Sequence, residues 1–298
     1  MTAAADSRLD GAASPPAGAE SARREFPFHA EHFRLISERI YAFSGIRLPE
    51  GKREMVYARL ARRLRALGIG SFDDYVRFLE AEPAEWEHCT NALTTNVTAF
   101  YREAHHFDTL AEHAKATAAN GPFRAWSAGC STGEEPYTIA MCLLEAIPGA
   151  GIEVLATDLD TQVLASAREG VYPLSAVAAL SAERQRRFFL RGAGRFEGKA
   201  KVRPEVAARV EFKRLNLMDG DWPVTPGLDA IFCRNVMIYF DKPTQRRLIE
   251  RFASLLRPGG LFFAGHAESL LDSGRHFQLR GQTVYELASG KTAPRRGS

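Results

Sequence analysis

The stretch that constrains this chain most is Trp126-Ser-Ala-Gly-Cys-Ser-Thr-Gly-Glu-Glu-Pro-Tyr137. A hydrophobic run, Phe123 to Ala128, leads into a Gly/Ser/Thr turn from Gly129 to Gly133. A helix then opens, with Pro136 in its first turn and the apolar run Ile139 to Leu144 behind it. Strand, glycine turn and helix start form the first crossover of a doubly wound α/β sheet, where such folds bind nucleotides. The turn is not a dinucleotide fingerprint, because Gly129 and Gly133 lie four apart and no GxGxxG is present.

Two acids, Glu134 and Glu135, stand at the helix entrance. A helix N-terminus ordinarily attracts a pyrophosphate, and fixed negative charges there oppose one. The site suits a nucleoside without phosphates, preferably a cationic one. S-adenosylmethionine, with a sulfonium and an ammonium group, has that chemistry. The alternative is that both glutamates only complement the helix dipole. A second strand, Ile152 to Thr157, ends in Asp158, 25 positions past Gly133. An acid there is placed to bind ribose hydroxyls. Asp160 fits the N-cap of the following helix, Gln162–Arg168, and so leaves Asp158 for a ligand.

The rest of the chain frames this unit. Residues 1–24 and 289–298 have tail-like composition without periodicity and read as disordered. Residues 25–88 read as a small all-helical domain. Its first helix carries Phe33, Ile36, Ile40 and Phe43 and stops at Gly45; a second spans Lys52 to Leu67, with Val56, Leu60, Leu64 and Leu67 inward; a third runs Phe72 to Ala81. Residues 89–120 form a linker region, and 121–288 the α/β domain with an inserted β-rich subdomain at 172–209. In that insertion a short helix is expected over Ala182–Leu190, tight turns over Arg191–Gly198, and a short strand at Lys201-Val-Arg203. Strands Val210–Leu215 and Asp229–Cys233 place Asn216, Leu217, Arg234 and Asn235 at the carboxyl edge of the sheet, with Tyr239 on the same loop as Asn235. Helix Pro243–Leu256 stops at Arg257-Pro-Gly-Gly260 and strand Leu261–Gly265 follows. His276–Leu279 and Thr283–Leu287, joined around Arg280-Gly281, read as a closing antiparallel hairpin.

Between Lys52 and Arg65 there are six basic residues and one acid, a local net of +5. At about 100° per residue, Lys52, Arg59, Arg62 and Arg63 share an arc away from the apolar stripe, with Arg53 nearer to it. Such a face either binds an acidic surface or is simply solvated. Cys89, Cys130, Cys142 and Cys233 are far apart with no CxxC, which speaks against structural zinc and disulfides and for a reducing cytoplasm. His105 and His106 are adjacent, are expected to point to different sides of a helix, and make a poor metal pair. No stretch approaches the ~20 apolar residues of a membrane span, and no signal core is evident.

Three segments together resemble the chemotaxis receptor methyltransferases, the CheR family: Asn91-Ala-Leu-Thr-Thr-Asn-Val-Thr-Ala-Phe-Tyr-Arg-Glu103, the Ser-Thr-Gly-Glu-Glu-Pro-Tyr turn, and Phe232-Cys-Arg-Asn-Val-Met-Ile-Tyr-Phe240. The resemblance runs from about Phe33 to Leu287. It implies a class I methyltransferase fold and transfer of methyl groups from S-adenosylmethionine to glutamates of bacterial chemoreceptors, leaving S-adenosylhomocysteine. It implies cofactor or methyl-transfer roles for Asn96, Thr98, Arg102, Glu135, Asp158, Asn216, Leu217, Arg234 and Asn235, with Arg102 and Tyr239 nearest the chemistry. It turns the basic helix toward receptor methylation helices. It also suggests that Gly192, Gly194 and Gly198 shape a site for a receptor tether peptide, added as a strand. No metal is expected, since an ionised carboxylate needs no general base. A monomer that neither binds nucleic acid nor inserts in a membrane is expected. Two rivals remain. One is a nucleic-acid methyltransferase, against which the absence of Asp/Asn-Pro-Pro-aromatic after the fourth strand counts. The other is a non-catalytic receptor-binding protein of the same fold.

Overall fold

The computed structural model describes residues 24–117, 121–268 and 276–288. The two tails read from composition lie, but for Arg24, outside the described residues. The helical unit consists of α1 (Ala30–Ser44), α2 (Arg53–Leu67), α3 (Phe72–Ala81) and α4 (Glu85–Leu93). A single 3-10 turn, Glu50–Lys52, precedes α2. Ile36, Ile40, Val56, Leu60, Leu64, Tyr75 and Leu79 close its core. Phe43, expected inside, is 41% exposed. Helix α4 runs across the 88/89 boundary, so the helical packing continues to Leu93.

The second unit is a seven-stranded sheet of order β6-β2-β1-β7-β8-β10-β9. Its strands are β1 (Phe123–Ala128), β2 (Ile152–Asp158), β6 (Val210–Arg214), β7 (Leu228–Cys233), β8 (Leu256–Ala264), β9 (Phe277–Gly281) and β10 (Val284–Leu287). The first five in spatial order are parallel, and β10 and β9 close the edge antiparallel. Buried parallel strands must be apolar on both faces. Phe123 and Ala125 of β1, Ala230 and Phe232 of β7, and Leu261 and Phe263 of β8 face one core. Trp126, Ala128, Ile231, Cys233, Phe262 and Ala264 face the other. Helices α5 (His105–Thr117) and α6 (Glu134–Ala146) cover the first face, and α11 (Lys242–Leu255) covers the second. Helix α7 (Thr161–Glu169) is capped by Asp160, whose side chain accepts from the Gln162 and Val163 amides, as expected.

The insertion is a three-stranded antiparallel sheet of order β3 (Val171–Pro173), β5 (Lys199–Val202), β4 (Phe189–Arg191). The helix expected to Leu190 ends at Phe188, and the strand expected at Lys201 starts at Lys199. A methyl group on Gly192 would come within 2.0 Å of the Phe196 carbonyl oxygen, so this turn admits only glycine there. Two further corrections concern turns. Arg257-Pro-Gly-Gly260 lies within β8, the helix having ended at Leu255. The final hairpin turns at Gln282-Thr283, both at positive φ, and not at Arg280-Gly281.

The two units meet along two seams. Tyr41 donates to Asp241 at 2.6 Å and Arg47 N–H donates to the Tyr239 carbonyl at 2.9 Å. On the other side Asn91 donates to Thr161 at 3.1 Å, and Thr161 donates to Glu87 at 2.8 Å. Between the seams lies a cavity.

Candidate active site

The cavity, about 220 Å³, opens between the helical unit and the carboxyl ends of β1, β2, β6 and β7. Asn96, Thr98, Arg102, Glu135, Asp158, Asn216, Leu217, Arg234, Asn235 and Tyr239 all line it, although they come from five separate stretches. The helical unit supplies its other wall, including Arg47, Leu48, Lys52 and Met55.

The glycine turn makes the floor. Gly133 has φ +98°, and an added methyl would meet the Tyr172 hydroxyl at 2.8 Å and the Ala167 methyl at 2.9 Å. The two acids that follow part company. Glu134 is buried away from the cavity and accepts from the Thr132 hydroxyl at 2.6 Å; burial raises its pKa. Glu135 lines the cavity, accepting from Ser127 at 2.7 Å and from Arg234 at 3.0 Å. Cys130 in the same turn is buried, which lifts its thiol well above the ordinary range and rules it out as a ready nucleophile.

Asp158 lines the cavity but is not idle before a ligand arrives. Its oxygens accept from the Ser131 amide at 2.8 Å and the Asp160 amide at 3.0 Å. Burial nevertheless outweighs those amides and pushes its carboxyl up to about 6. Each oxygen keeps a lone pair for a hydroxyl donor. Asn96 donates to Asp160 at 2.9 Å, and its carbonyl accepts from Ser131 at 3.0 Å, so it locks the linker onto the turn. Asn216 donates one amide N–H to the Phe43 carbonyl at 2.6 Å, and its oxygen accepts from the Met218 amide at 3.0 Å. Its side chain therefore joins the two units while it lines the cavity, and it keeps one N–H and one lone pair for a ligand.

Arg234 is the most enclosed charge in the site. Its side chain is 2% exposed and lies 3.0 Å from Glu135 and 3.3 Å from Glu103. Asn235 adopts φ +60°, held by Glu268, which accepts the Asn235 amide at 2.8 Å and the Gly265 amide at 2.6 Å. Glu103 and Glu268 were not singled out from sequence. Glu103 closes the first family-like motif, which was the one available signal; Glu268 had none, standing 33 residues past its main partner.

The basic helix resolves differently. Arg59 donates to the carbonyls of Ala92, Leu93 and Thr94 at the end of α4, with 2.9 Å to Leu93. Arg63 clasps Glu85 through two bonds of 2.7 and 2.6 Å, and Glu85 is 4% exposed. Arg53 donates to the Phe28 carbonyl at 2.9 Å. Lys52 lines the cavity, and Lys52 and Arg62 are exposed with no side-chain bond among the described residues. Of the expected cationic arc, Lys52 and Arg62 are unclaimed, whereas Arg59 and Arg63 also hold the helical unit together.

The two histidines also depart from expectation. Both Nε2 atoms come to 3.2 Å from the Gln282 carbonyl, because they open α5 and are not yet on opposite helix faces. With Glu103 they bring three potential ligand atoms within 4.8 Å. The Arg234 guanidinium, 3.3 Å from Glu103, already occupies the cationic position there.

No described helix is long and apolar enough to cross a membrane. Residues 96–286 match the CheR methyltransferase SAM-binding domain, and residues 31–94 the CheR methyltransferase all-alpha domain. The chain is 52% identical over 277 residues to the chemotaxis protein methyltransferase of Klebsiella aerogenes, covering 92% of this chain and 94% of that one. It is 51% identical to chemotaxis protein methyltransferase 2 of Pseudomonas aeruginosa, covering 89% and 96%, and 53% identical to the chemotaxis protein methyltransferase of Salmonella typhimurium, covering 87% and 91%. The chain belongs to the CheR methyltransferase family.

Proposed function

We propose that the protein transfers the methyl group of S-adenosylmethionine to glutamate carboxylates on the cytoplasmic helices of bacterial chemoreceptors. The observation that carries this reading is the polarity of the cavity. Its sheet side bears Glu135 and Asp158, with Arg234 paired to Glu135; the helical unit and linker contribute Arg47, Lys52 and Arg102. A cationic adenosine donor suits the first side, and a carboxylate acceptor the second.

Glu135 would hold the cofactor's ammonium group, Asp158 its ribose hydroxyls, and the backbone around Leu217 its adenine edge. When bound, the cofactor supplies an activated methyl group. The acceptor carboxylate is ionised near neutral pH and needs no base. What the chain adds is orientation, which accounts for several orders of magnitude in rate. Arg102 donates to the Val97 carbonyl at 2.9 Å, which fixes its stem and leaves its remaining N–H groups for the acceptor. Its grip must be moderate, because the acceptor oxygen loses negative charge as the new bond forms. Tyr239, clamped through its carbonyl by Arg47, and Asn235, held by Glu268, line the same wall. The helical unit completes the enclosure and keeps water from the reacting atoms.

The test is transfer of labelled methyl to receptor-containing membranes. The expected label is released as methanol by base. A base-stable label, or label on RNA or DNA, would assign a different acceptor; a chain that binds cofactor and receptor without transfer would be a non-catalytic binder. The turn from Gly192 to Gly198 belongs to the same proposal as a docking place for a receptor tail peptide, since β4 is an edge strand of its three-stranded sheet.

A further inference from the structure

Arg234 poses an electrostatic problem for that reading. A cationic cofactor is to be held by Glu135, yet Glu135 already carries a guanidinium at 3.0 Å. One such cation would cancel the charge that the cofactor needs. The structure supplies a second carboxylate: Glu103, 3.3 Å from Arg234 on its other side. Both acids are 12% exposed and the arginine 2%, so little solvent screens the three charges from one another. The guanidinium also donates to the Arg102 carbonyl and lies 5.8 Å from the centre of the Phe107 ring.

We infer that Glu103 is a positioning residue: its charge offsets that of Arg234, so that Glu135 still presents a net negative charge to the cationic end of S-adenosylmethionine. The inference rests on the proposed function above and adds the group that sets the selectivity of the site. Glu103 does not touch the ligand cavity; it acts through Arg234. The backbone is bent to place it, with φ of +57° at a non-glycine residue. Its other neighbours leave the charge in place. His266 contacts its second oxygen at 3.1 Å, and His106, 3.6 Å away, is buried and held neutral by that burial. Together Glu103, Arg234 and Glu135 carry one net negative charge. Arg234 is thereby shared between the cofactor side, through Glu135, and the acceptor side, through the Arg102 carbonyl.

The arrangement makes a prediction that a merely structural role does not. S-adenosylmethionine carries one more positive charge than S-adenosylhomocysteine, and the two are otherwise nearly the same shape. Removing the Glu103 charge must weaken the first more than the second. Calorimetry on the full chain compares wild type, Glu103→Gln and the double variant Glu103→Gln/Arg234→Met with both ligands. In Glu103→Gln, affinity for S-adenosylmethionine is expected to fall about tenfold and that for the homocysteine product about threefold or less. In the double variant, which removes charge and counter-charge together, the affinity ratio returns to within about twofold of wild type. The double variant also spares the fold a buried, half-paired arginine, so it keeps the test informative if Glu103→Gln unfolds. Equal weakening of both ligands, or a double variant with the ratio of Glu103→Gln, overturns the role of Glu103. A wild-type chain that binds neither ligand overturns the functional reading itself, and this inference with it.

Discussion

Two helices in this molecule carry runs of like charge, one at its entrance and one along its length, and they use it in different ways. At the start of α6, Glu134 and Glu135 stand on a glycine turn, and one of them faces an open cavity. Along α2, six cations in fourteen residues suggest an exposed face of the same kind. Yet Arg59 serves as a cap for the end of α4 and Arg63 neutralises buried Glu85. The difference lies in where partners come from. Glu134 and Glu135 find Thr132 and Ser127 close by in sequence, and Glu135 has a distant partner as well, Arg234. Arg59 and Arg63 find partners 22 to 36 residues further on, which no helical wheel displays. A charge run is a binding face only for those members that tertiary packing leaves unclaimed.

That contrast can be broken experimentally. Glu135→Gln should have the largest effect on function, lowering cofactor affinity roughly a hundredfold, about 3 kcal/mol, because it removes the charge that faces the cavity and leaves Arg234 beside it. Calorimetry on the folded protein reads this directly, alongside a lowered melting temperature because Arg234 keeps only Glu103 as a carboxylate partner; an unchanged affinity would reduce Glu135 to a dipole partner. Arg63→Met should do the converse. It leaves Glu85 buried with only the Tyr75 hydroxyl at 3.0 Å, and should cost about 2–3 kcal/mol in chemical denaturation while the folded protein binds cofactor normally. Loss of receptor methylation without loss of stability would return Arg63 to the receptor face.

A pH titration sharpens the cavity side. With its carboxyl at about 6, Asp158 accepts ribose hydroxyls as a carboxylate, the stronger acceptor, only above that value. Cofactor affinity should therefore be flat above pH 6 and fall about tenfold per unit below it. The sign for the unliganded protein is opposite. The unfolded carboxyl ionises near 4 and the folded one near 6, so this group's contribution to stability is present at low pH and is lost as pH rises through about 6. Affinity that holds constant down to pH 5 would show that Asp158 does not bind as a carboxylate. The smallest effect belongs to Arg62→Glu: stability within about 0.5 kcal/mol of wild type, with a several-fold slower receptor methylation at low salt. Comparison of initial rates at low and high salt checks it, and equal rates would leave Arg62 as plain solvated surface.

Much of the fold was readable because its determinants are local. The run Phe123–Ala128, the glycine turn and Asp160 as a cap each lie within a few residues of what they organise. Within the strand read as Asp229–Cys233, Ala230 to Cys233 announce it by unbroken apolarity. The placing of Glu135, Asp158, Arg234 and Asn235 at the cavity was readable for the same reason, as each ends or follows a strand or opens a helix. What stayed hidden depends on distant partners. Asn216 reads in sequence as an adenine contact; that its amide also meets a carbonyl 173 residues away was not legible there. His105 and His106 converge on a hairpin 176 and more residues later. Glu268 holds Asn235 from just past β8, and the helical unit's share in the cavity wall follows only from how the two units dock.

The most direct test of the account is competitive calorimetry on the full chain, with S-adenosylmethionine set against ATP and NAD. The acid-lined floor is expected to bind S-adenosylmethionine one to one and to leave both phosphate-bearing nucleotides in solution. Binding of ATP or NAD that displaces S-adenosylmethionine, or no heat with any of the three, would contradict it.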